Sequence, residues 1–342
     1  MHKFGGDMYV CMAARATRSS SRKARLTEAV ATGPLGALSH DELGVIFEGL
    51  ADPLQPVVAV VLSSTCLGLR TPLLAALEVL KERHERAAAL CRKLHRDWRP
   101  CSCEVLRAAE VIHWDHRGFT AADVATLAMM LHGCQLPMLR ELHLAANSLR
   151  DAEVRMICEG LAHGSASSLK RLSLGSNKFG PAGAEALASA LRGGSMPQLR
   201  ELSITSTPLG NQSIAVLAPV LRKLPALRVL QLGHTDLGDE AVTSLVANLG
   251  KDDFKALEKL ILRENQITNE GMFKLASALD AGGLPNLCAF GDHESQFEIL
   301  DHNNLSGTSA IQAVQGALLK RAQEQLAAFR QALSACQAAL RS

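Results

Sequence analysis

The sequence is poor in aromatic residues, which make up 4% of it, with two tryptophans and one tyrosine. Its charges nearly balance at a net +2, so it lacks the one-signed field that binding to nucleic acid or to an anionic membrane surface requires. The longest apolar run, Pro56 to Leu62, is far shorter than the roughly 20 residues needed to span a bilayer. We therefore expect no nucleic acid and no membrane as a partner.

The cysteines do not form a recognisable disulfide framework. They number nine, lie scattered along the chain and follow no secretory leader, which favours a reducing compartment and predicts a cytoplasmic or nuclear protein. Residues 1–33 are basic, rich in serine and without apolar periodicity, so we predict a disordered tail. An organelle transit peptide is the alternative interpretation of this composition.

The motifs of common catalytic sites are missing as well. The sequence has no glycine-rich phosphate loop, nucleophile elbow or HExxH helix, and we expect no enzyme and no cofactor. Zinc favours paired short spacings, whereas Cys-x-Cys chelates one tetrahedral ion poorly, so we predict no metal. The nearest approach to a metal site is a group of soft ligands within a short segment: Cys91, His95, Cys101, Cys103, His113 and His116.

What the chain does contain is an internal repeat. Five segments carry apolar residues at their positions 1, 4, 6 and 11, at offsets of 30, 30, 28 and 30 residues, which is typical of a solenoid. Within one unit, Leu142 and Leu144 share a face of a short strand, while Val154, Ile157 and Leu161 recur at helical steps. Each unit is therefore predicted to be a strand, a turn and a helix. The segments are 139–149, 169–179, 199–209, 227–237 and 257–267.

Position 9 of each segment is polar in an otherwise apolar frame. We predict that these side chains point inward and hydrogen-bond the backbone of the turn after the strand, since buried peptide groups must be satisfied. Their role is then structural. The residues are Asn147, Asn177, Thr207, Thr235 and Asn265.

The array has degenerate ends. A first unit is predicted upstream, with Ile112 and Trp114 on its strand and a helix over 121–131. Downstream, the pattern resumes at Leu300, Asn303 and Leu305 after an insertion over 291–298. Two final helices, over 311–319 and 321–340, are predicted to cap the open end, because a terminal repeat has no neighbour to cover it.

The pattern LxxLxLxxN/TxL followed by a GaexLaxaL-type helix resembles the ribonuclease-inhibitor-like class of leucine-rich repeats. The resemblance implies an α/β solenoid, a horseshoe with a parallel sheet on its concave face and helices on its convex face. Most proteins of that class bind other proteins, so we expect a non-enzymatic protein-protein interaction module. A Ran-type GTPase-activating regulator is an alternative, with Arg150 or Lys178 on the loops.

The concave face is expected to carry the protein partner. Its central strands look small and nearly uncharged, so either the partner approaches the backbone at Gly175 and Gly233, or the chemically richer ends supply the affinity. We favour the ends. The candidate partner-binding residues are His113, Asp115, His116, His143, Arg171, His234, Arg263 and Glu264.

The segment before the repeats resembles an F-box. That family implies a small helical module that docks on the linker subunit of a cullin-type ubiquitin ligase. Ser39 stands where proline is usual, and Leu69-Arg70 where Trp-Arg is usual. An amphipathic helical cap for the first repeat is the alternative. The candidate docking residues are Leu38, Leu43, Ile46, Phe47, Leu50, Pro53 and Leu54.

These observations predict five parts and one function. The function is that of a substrate adaptor of a cullin-type ubiquitin ligase, with a freestanding leucine-rich-repeat scaffold as the alternative. The parts are a basic tail over 1–33, an F-box-like helical module over 34–71, a linker helix over 72–102, leucine-rich repeats over 103–310 and a helical cap over 311–342.

Overall fold

The computed structural model describes residues 39–64, 67–95, 101–133, 136–162, 167–250, 252–287 and 303–339. The chain divides into two compact units, with the boundary between Glu85 and Arg86. Each unit is described by itself. The predicted tail, the predicted insertion over 291–298, and Leu38 and Leu300 lie outside the described residues.

The first unit is helical. Its elements are α1 (His40–Leu50), α2 (Val57–Ser64) and the beginning of α3 (Leu67–Leu94). Helix α1 begins at a capping box, in which the Ser39 hydroxyl accepts from the Glu42 backbone N–H at 3.2 Å and the Glu42 carboxylate accepts from the Ser39 N–H at 2.8 Å. The serine that replaces the usual proline therefore starts the helix.

A small apolar core joins the three helices of this unit. Amphipathic spacing brings Leu43 and Phe47 of α1 to one side, where they pack with Ala59 of α2 and with Leu73 and Leu80 of α3. The connection between α1 and α2 is fixed by polar contacts as well. The carboxylate of Asp52 accepts from the Leu54 N–H at 2.8 Å, and His84 Nδ1 lies 2.6 Å from the Pro53 carbonyl.

Helix α3 differs from the predicted linker helix. The predicted boundary between residues 71 and 72 rests on Pro72, but α3 begins at Leu67 and continues through that proline to Leu94. Pro72 is the sixth residue of α3 and has no N–H, so the helix continues there without one of its hydrogen bonds between residues i and i−4.

The second unit alternates helices and short strands after α3. Every strand has three residues. The elements are α4 (Cys103–Arg107), β1 (Val111–His113), α5 (Ala121–His132), β2 (Glu141–His143), α6 (Asp151–Ala162), β3 (Arg171–Ser173), α7 (Pro181–Arg192), β4 (Glu201–Ser203), α8 (Gly210–Leu221), β5 (Val229–Gln231), α9 (Asp239–Val246), β6 (Lys259–Ile261), α10 (Asn269–Asp280) and α11 (Ser309–Ala339).

The strands form one parallel sheet in chain order, β1 to β6. The register pairs equivalent positions of neighbouring repeats, so that Leu142 lies between Ile112 and Leu172. The middle residue of every strand is buried against the helices, while its neighbours in the strand point the other way. The predicted α/β solenoid, including its degenerate first unit, is thus confirmed. The buried middle residues are Ile112, Leu142, Leu172, Leu202, Leu230 and Leu260.

The polar side chains at position 9 form a polar ladder, comprising Asn147, Asn177, Thr207, Thr235, Asn265 and Asn303. Asn177 is representative, because its Oδ1 accepts from the backbone N–H groups of Asn147 and Leu149 at 3.1 and 3.0 Å. Its Nδ2 donates to the carbonyls of Leu144 and Leu174 at 3.0 and 2.8 Å. One side chain therefore satisfies buried backbone groups in two repeats, as predicted.

Asn303 extends the polar ladder beyond the predicted insertion. Its Oδ1 accepts from the Ile267 N–H at 3.2 Å, and its Nδ2 donates to the Leu262 carbonyl at 2.9 Å. These are the contacts that Asn177 makes with its preceding repeat. Asn303 therefore acts as the position 9 residue of a seventh, degenerate unit.

A second set of side chains links the helices. Asp151, at the start of α6, accepts from the backbone N–H groups of Gly180 and Gly183 at 2.8 Å each, and so caps the next helix, α7. Asp239 does the same for α10, accepting from Gly271 at 3.0 Å. A Cβ at Gly271 would lie 2.4 Å from the Asp239 carboxylate, so this close approach requires glycine.

The C-terminal part contains one helix where the sequence suggested two. Helix α11 runs without a break from Ser309 to Ala339 and packs against α10. Lys320, between the two predicted helices, is a good helix former, and neither glycine nor proline lies beside it to end a helix. The arginine that follows, Arg321, donates to the carbonyls of Leu279 and Leu284 at 2.6 and 2.5 Å, which occupies backbone groups at the end of the array.

We expect Leu172→Ala to destabilise the array, because Leu172 is fully buried in the middle of β3. Removing it leaves a cavity that costs roughly 2–5 kcal/mol in the free energy of unfolding. The midpoint of thermal unfolding, followed by circular dichroism, should fall accordingly. Lys178→Ala is the control in the same repeat, since its exposed side chain should change stability by less than about 0.5 kcal/mol. An unchanged midpoint for Leu172→Ala would contradict the burial of β3.

Asn177→Ala should also destabilise, because it leaves the N–H groups of Asn147 and Leu149 without their acceptor. Each orphaned buried group costs about 1–3 kcal/mol. Asn177→Thr should lose clearly less, since threonine occupies the same position at Thr207 and Thr235. Urea unfolding at constant pH measures both variants. Equal losses for alanine and threonine would show that the hydrogen bonds of this side chain contribute little.

Candidate protein-binding face

The side of the sheet that points away from the helices is built from equivalent positions of successive repeats. We call it the strand face and define it by three rows. The first strand position gives Val111, Glu141, Arg171, Glu201, Val229 and Lys259; the third gives His113, His143, Ser173, Ser203, Gln231 and Ile261; and two residues later follow Asp115, Ala145, Gly175, Thr205, Gly233 and Arg263.

Charged side chains of the central strands pair with one another across the sheet. Arg171 donates from Nη1 to Glu141 at 3.0 Å and from Nε to Glu201 at 2.7 Å. The chain of contacts continues from Gln231 Nε2 to Glu201 at 3.1 Å. The expectation of a nearly uncharged centre is therefore wrong. Three charged side chains lie on neighbouring central strands and contact each other there.

Contacts on the strand face shift the pKa values of Glu141 and Arg171. Burial favours the neutral form of Glu141, but the hydrogen bond with His143 and the charge of Arg171 outweigh it, so the pKa of Glu141 lies below its ordinary value. Burial likewise disfavours the charged form of Arg171, yet Glu201 and Glu141 raise the pKa of its guanidinium. Glu141 and Arg171 therefore stay ionised and paired near neutral pH.

The end of the strand face at β1 brings three of the predicted residues together. His113 and His143 are register partners, and their ring centroids lie 4.3 Å apart with an angle of 31° between the ring planes. Asp115 accepts from the Ala145 N–H at 2.6 Å. His143 Nε2 lies 3.2 Å from the Glu141 carboxylate, which connects this end to the charged row.

The other end of the face holds a looser group. His234 Nδ1 lies 3.6 Å from the Glu264 carboxylate, and Arg263 Nε lies 3.9 Å from it. All three side chains retain substantial exposure, between 42% and 66%. The stem of Arg263 lies across Gly233, since a Cβ added there would be 3.2 Å from Arg263 Cγ. Gly233 is thus covered by the arginine, whereas the sequence had suggested it as a point of backbone approach.

The turn after each strand has an unusual backbone. In each of the six repeats, the third residue after the strand has a φ between 54° and 57°, in the left-handed region, although none of these six residues is glycine. The N–H of each of the first five donates to a carbonyl of the next repeat, as Ala146 does to Gly175 at 2.9 Å. Sequence patterns gave no sign of this row because the residue types differ. Its members are His116, Ala146, Ser176, Ser206, His234 and Glu264.

The candidate docking residues of the first unit fall into two groups. Leu43, Phe47, Pro53 and Leu54 are buried, while Ile46 and Leu50 are each 39% exposed. The sequence interpretation missed further apolar residues that are exposed here, although the dense run of valines in α2 was a signal. They are Val45, Val57, Val58, Val61, Leu74 and Val79.

The soft ligands before the first strand are brought together only in part. The thiol of Cys91 is buried beside the thiols of Cys101 and Cys103, and hydrogen bonding to both, together with burial, raises the pKa of Cys91. His95 Nδ1 accepts from the backbone N–H of Cys101 at 3.2 Å. His113 instead stacks on His143 on the strand face.

Comparison with known protein families agrees with the architecture. The sequence model of the family described as Leucine Rich repeat matches residues 165–188, 223–246 and 256–276. Each match contains one strand, β3, β5 or β6, and part or all of the helix that follows it. Together, the fold and the strand face define an α/β repeat solenoid. The chain therefore contains leucine-rich repeats.

Leucine-rich repeats are generally non-enzymatic modules that bind other proteins. A comparison with curated proteins finds no match to this chain. Among the described helices, none is both long enough and apolar enough to cross a bilayer.

Proposed function

We propose that this leucine-rich-repeat protein is an adaptor, in which the strand face captures one protein and the helical first unit docks on the linker subunit of a cullin-type ubiquitin ligase. The observation that carries the proposal is the split within the first unit between a buried core and an apolar exposed set. A helix whose apolar residues are not all used in its own core has surface left for another protein.

The exposed set lies on two helices that pack on one another. In α2, Val57, Val58 and Val61 follow spacings of one and four residues and thus share one side of the helix. In α1, Ile46 and Leu50 are a helical turn apart. These residues support a docking role, because exposing so many aliphatic side chains to water in so short a segment is unfavourable, and a bound protein would cover them. The resemblance to an F-box supports the linker subunit as the partner.

The strand face supports capture of a macromolecule. It is an open surface that extends over six strands, and its residues lie in rows of equivalent repeat positions. The central charges are already paired within the protein, so a partner gains little by replacing them. Residues with exposed charge at the end near β6, Arg263 and Glu264, are free to reorient towards a partner, and we assign them a direct role in capture.

The docking proposal is tested with the purified linker subunit. Wild-type chain should bind it in a titration calorimeter, and Ile46→Ser/Leu50→Ser should weaken binding at least about tenfold, or roughly 1.4 kcal/mol. Buried Leu43 and Phe47 are left intact so that the unit stays folded. Phe273→Ser is the matched control, because Phe273 is an exposed apolar residue at 47% on α10.

If the wild-type chain does not bind the linker subunit, the adaptor proposal fails and the chain is a freestanding scaffold. If a small GTPase binds the repeats and is activated, the chain is a GTPase regulator instead. Both outcomes differ from the expected one, in which the wild-type chain binds the linker subunit and only Ile46→Ser/Leu50→Ser loses that binding.

The capture proposal predicts that Arg263→Ala/Glu264→Ala lowers recovery of the captured protein about tenfold, as truncating central interface residues costs roughly 1–2 kcal/mol. Recovery is measured by quantitative mass spectrometry after crosslinking in cell extract. Thermal stability should not change, since both side chains are exposed. Glu270→Ala/Lys274→Ala removes an ion pair of 2.7 Å from the helix of the same repeat and is the control. Equal recovery with both double variants would exclude this end of the face.

A further inference from the structure

The β1 end of the strand face carries a cluster that the adaptor function does not require. It consists of His113, Asp115 and His143, each half-buried. One ligand atom from each lies within 4.8 Å of the other two. Among the described residues, this is the set of histidine, cysteine and carboxylate side chains that converges in this way.

We infer that this cluster binds a divalent transition-metal ion of the zinc type. Two imidazole nitrogens and one carboxylate oxygen are a ligand set that Zn²⁺ accepts in sites with three protein ligands, with the fourth position left to water or another ligand. Ca²⁺ and Mg²⁺ are disfavoured, because they require oxygen ligands.

Each ligand is already positioned by the fold. The two histidines are held side by side by the parallel register of β1 and β2. One oxygen of Asp115 accepts from the Ala145 N–H at 2.6 Å, which fixes the carboxylate next to the rings. Strand pairing and this hydrogen bond hold the three side chains near one another, which lowers the conformational entropy lost on binding an ion.

The orientation of His143 is set by a second carboxylate. Its Nε2 lies 3.2 Å from Glu141, and Glu141 is in turn held by Arg171 at 3.0 Å. A histidine that donates Nε2–H to a carboxylate exposes the lone pair of Nδ1, and a carboxylate behind a histidine is a recurring support of metal ligands. Glu141 is therefore a positioning residue, whereas His113, Asp115 and His143 are the ligands.

The spacing needs only a modest contraction. Ligand atoms about 2.0–2.1 Å from a tetrahedral zinc ion lie roughly 3.3 Å from one another. The ligand atoms here lie within 4.8 Å of one another, so coordination requires rotation about the side-chain bonds of these half-buried residues. The His234 end has only one imidazole, and the thiols of Cys91, Cys101 and Cys103 form a sulfur-based set whose thiolate absorption distinguishes it in the experiment below.

The open fourth position faces away from the helices, on the strand face. A histidine or carboxylate of a captured protein could complete the coordination there, which adds a specific contact to the proposed capture function. Ion binding itself needs no partner, so it is tested on the chain alone and stands if the adaptor proposal fails.

The experiment titrates the full chain, after treatment with a chelator, with Zn²⁺ in a calorimeter and with Co²⁺ in a spectrophotometer. We expect one ion per chain at this site and visible Co²⁺ bands without the intense near-ultraviolet band of thiolate ligation. His143→Ala and Asp115→Asn should each weaken binding about a hundredfold or more, and Glu141→Gln about tenfold, in line with the loss of a supporting carboxylate. Asp115→Asn keeps an acceptor for Ala145, so this variant should remain folded.

His234→Ala and Cys101→Ser/Cys103→Ser are the controls and should bind as the wild type does. The inference is overturned if the wild type binds no ion. It is equally overturned if the ion persists unchanged in His143→Ala and Asp115→Asn, or if it shows thiolate absorption and is lost with Cys101→Ser/Cys103→Ser.

Discussion

Each strand of the sheet contributes only three residues, and the backbone groups around it depend on the neighbouring repeat for their hydrogen bonds. The Arg140 carbonyl, for example, accepts from both Lys170 and Arg171 at 2.7 and 3.0 Å, and the same pair of bonds recurs at the next repeats. A single coil would leave these groups and its leucines in water. The polar ladder, the paired charges and the helix caps all act across this one interface between repeats, so stability belongs to the stack and not to any unit.

The sequence predicted what depends on one residue and its own repeat. Leucines at fixed offsets are buried, and the polar ladder was identified because a polar residue in an apolar frame needs backbone partners. Contacts between particular side chains of different repeats were harder to predict. Arg171 lies in contact with both Glu141 and Glu201 only because the register brings three strands together, and a linear pattern does not contain that register. The helix caps formed by Asp151 and Asp239 were not predicted for the same reason, since each residue caps the helix of the next repeat.

The candidate sites were predicted as residue sets but not as arrangements. The resemblance to an F-box selected Leu43, Ile46, Phe47 and Leu50 together, yet it does not say which side of the helix meets the core, and the fold divides them into a buried and an exposed pair. On the strand face, the sequence nominated His113, Asp115 and His143 as separate contacts. Their convergence follows from residues 30 positions apart becoming neighbours. Neither predicted boundary, at residue 72 or near Lys320, is a helix end in the structure, because α3 continues through Pro72 despite its missing N–H and neither glycine nor proline lies beside Lys320.

The left-handed turn residue of each repeat limits how this protein can diversify. A conformation with φ near 55° is costly for side chains branched at Cβ, so valine, isoleucine and threonine are poorly tolerated at positions such as Ala146 and Ser206. Few residue types are therefore tolerated at these left-handed turn positions, whereas the strand rows contain charged, imidazole and aliphatic side chains. Relatives that bind different partners should therefore differ in the residues of the strand rows and keep small or polar, unbranched residues at the left-handed turn positions.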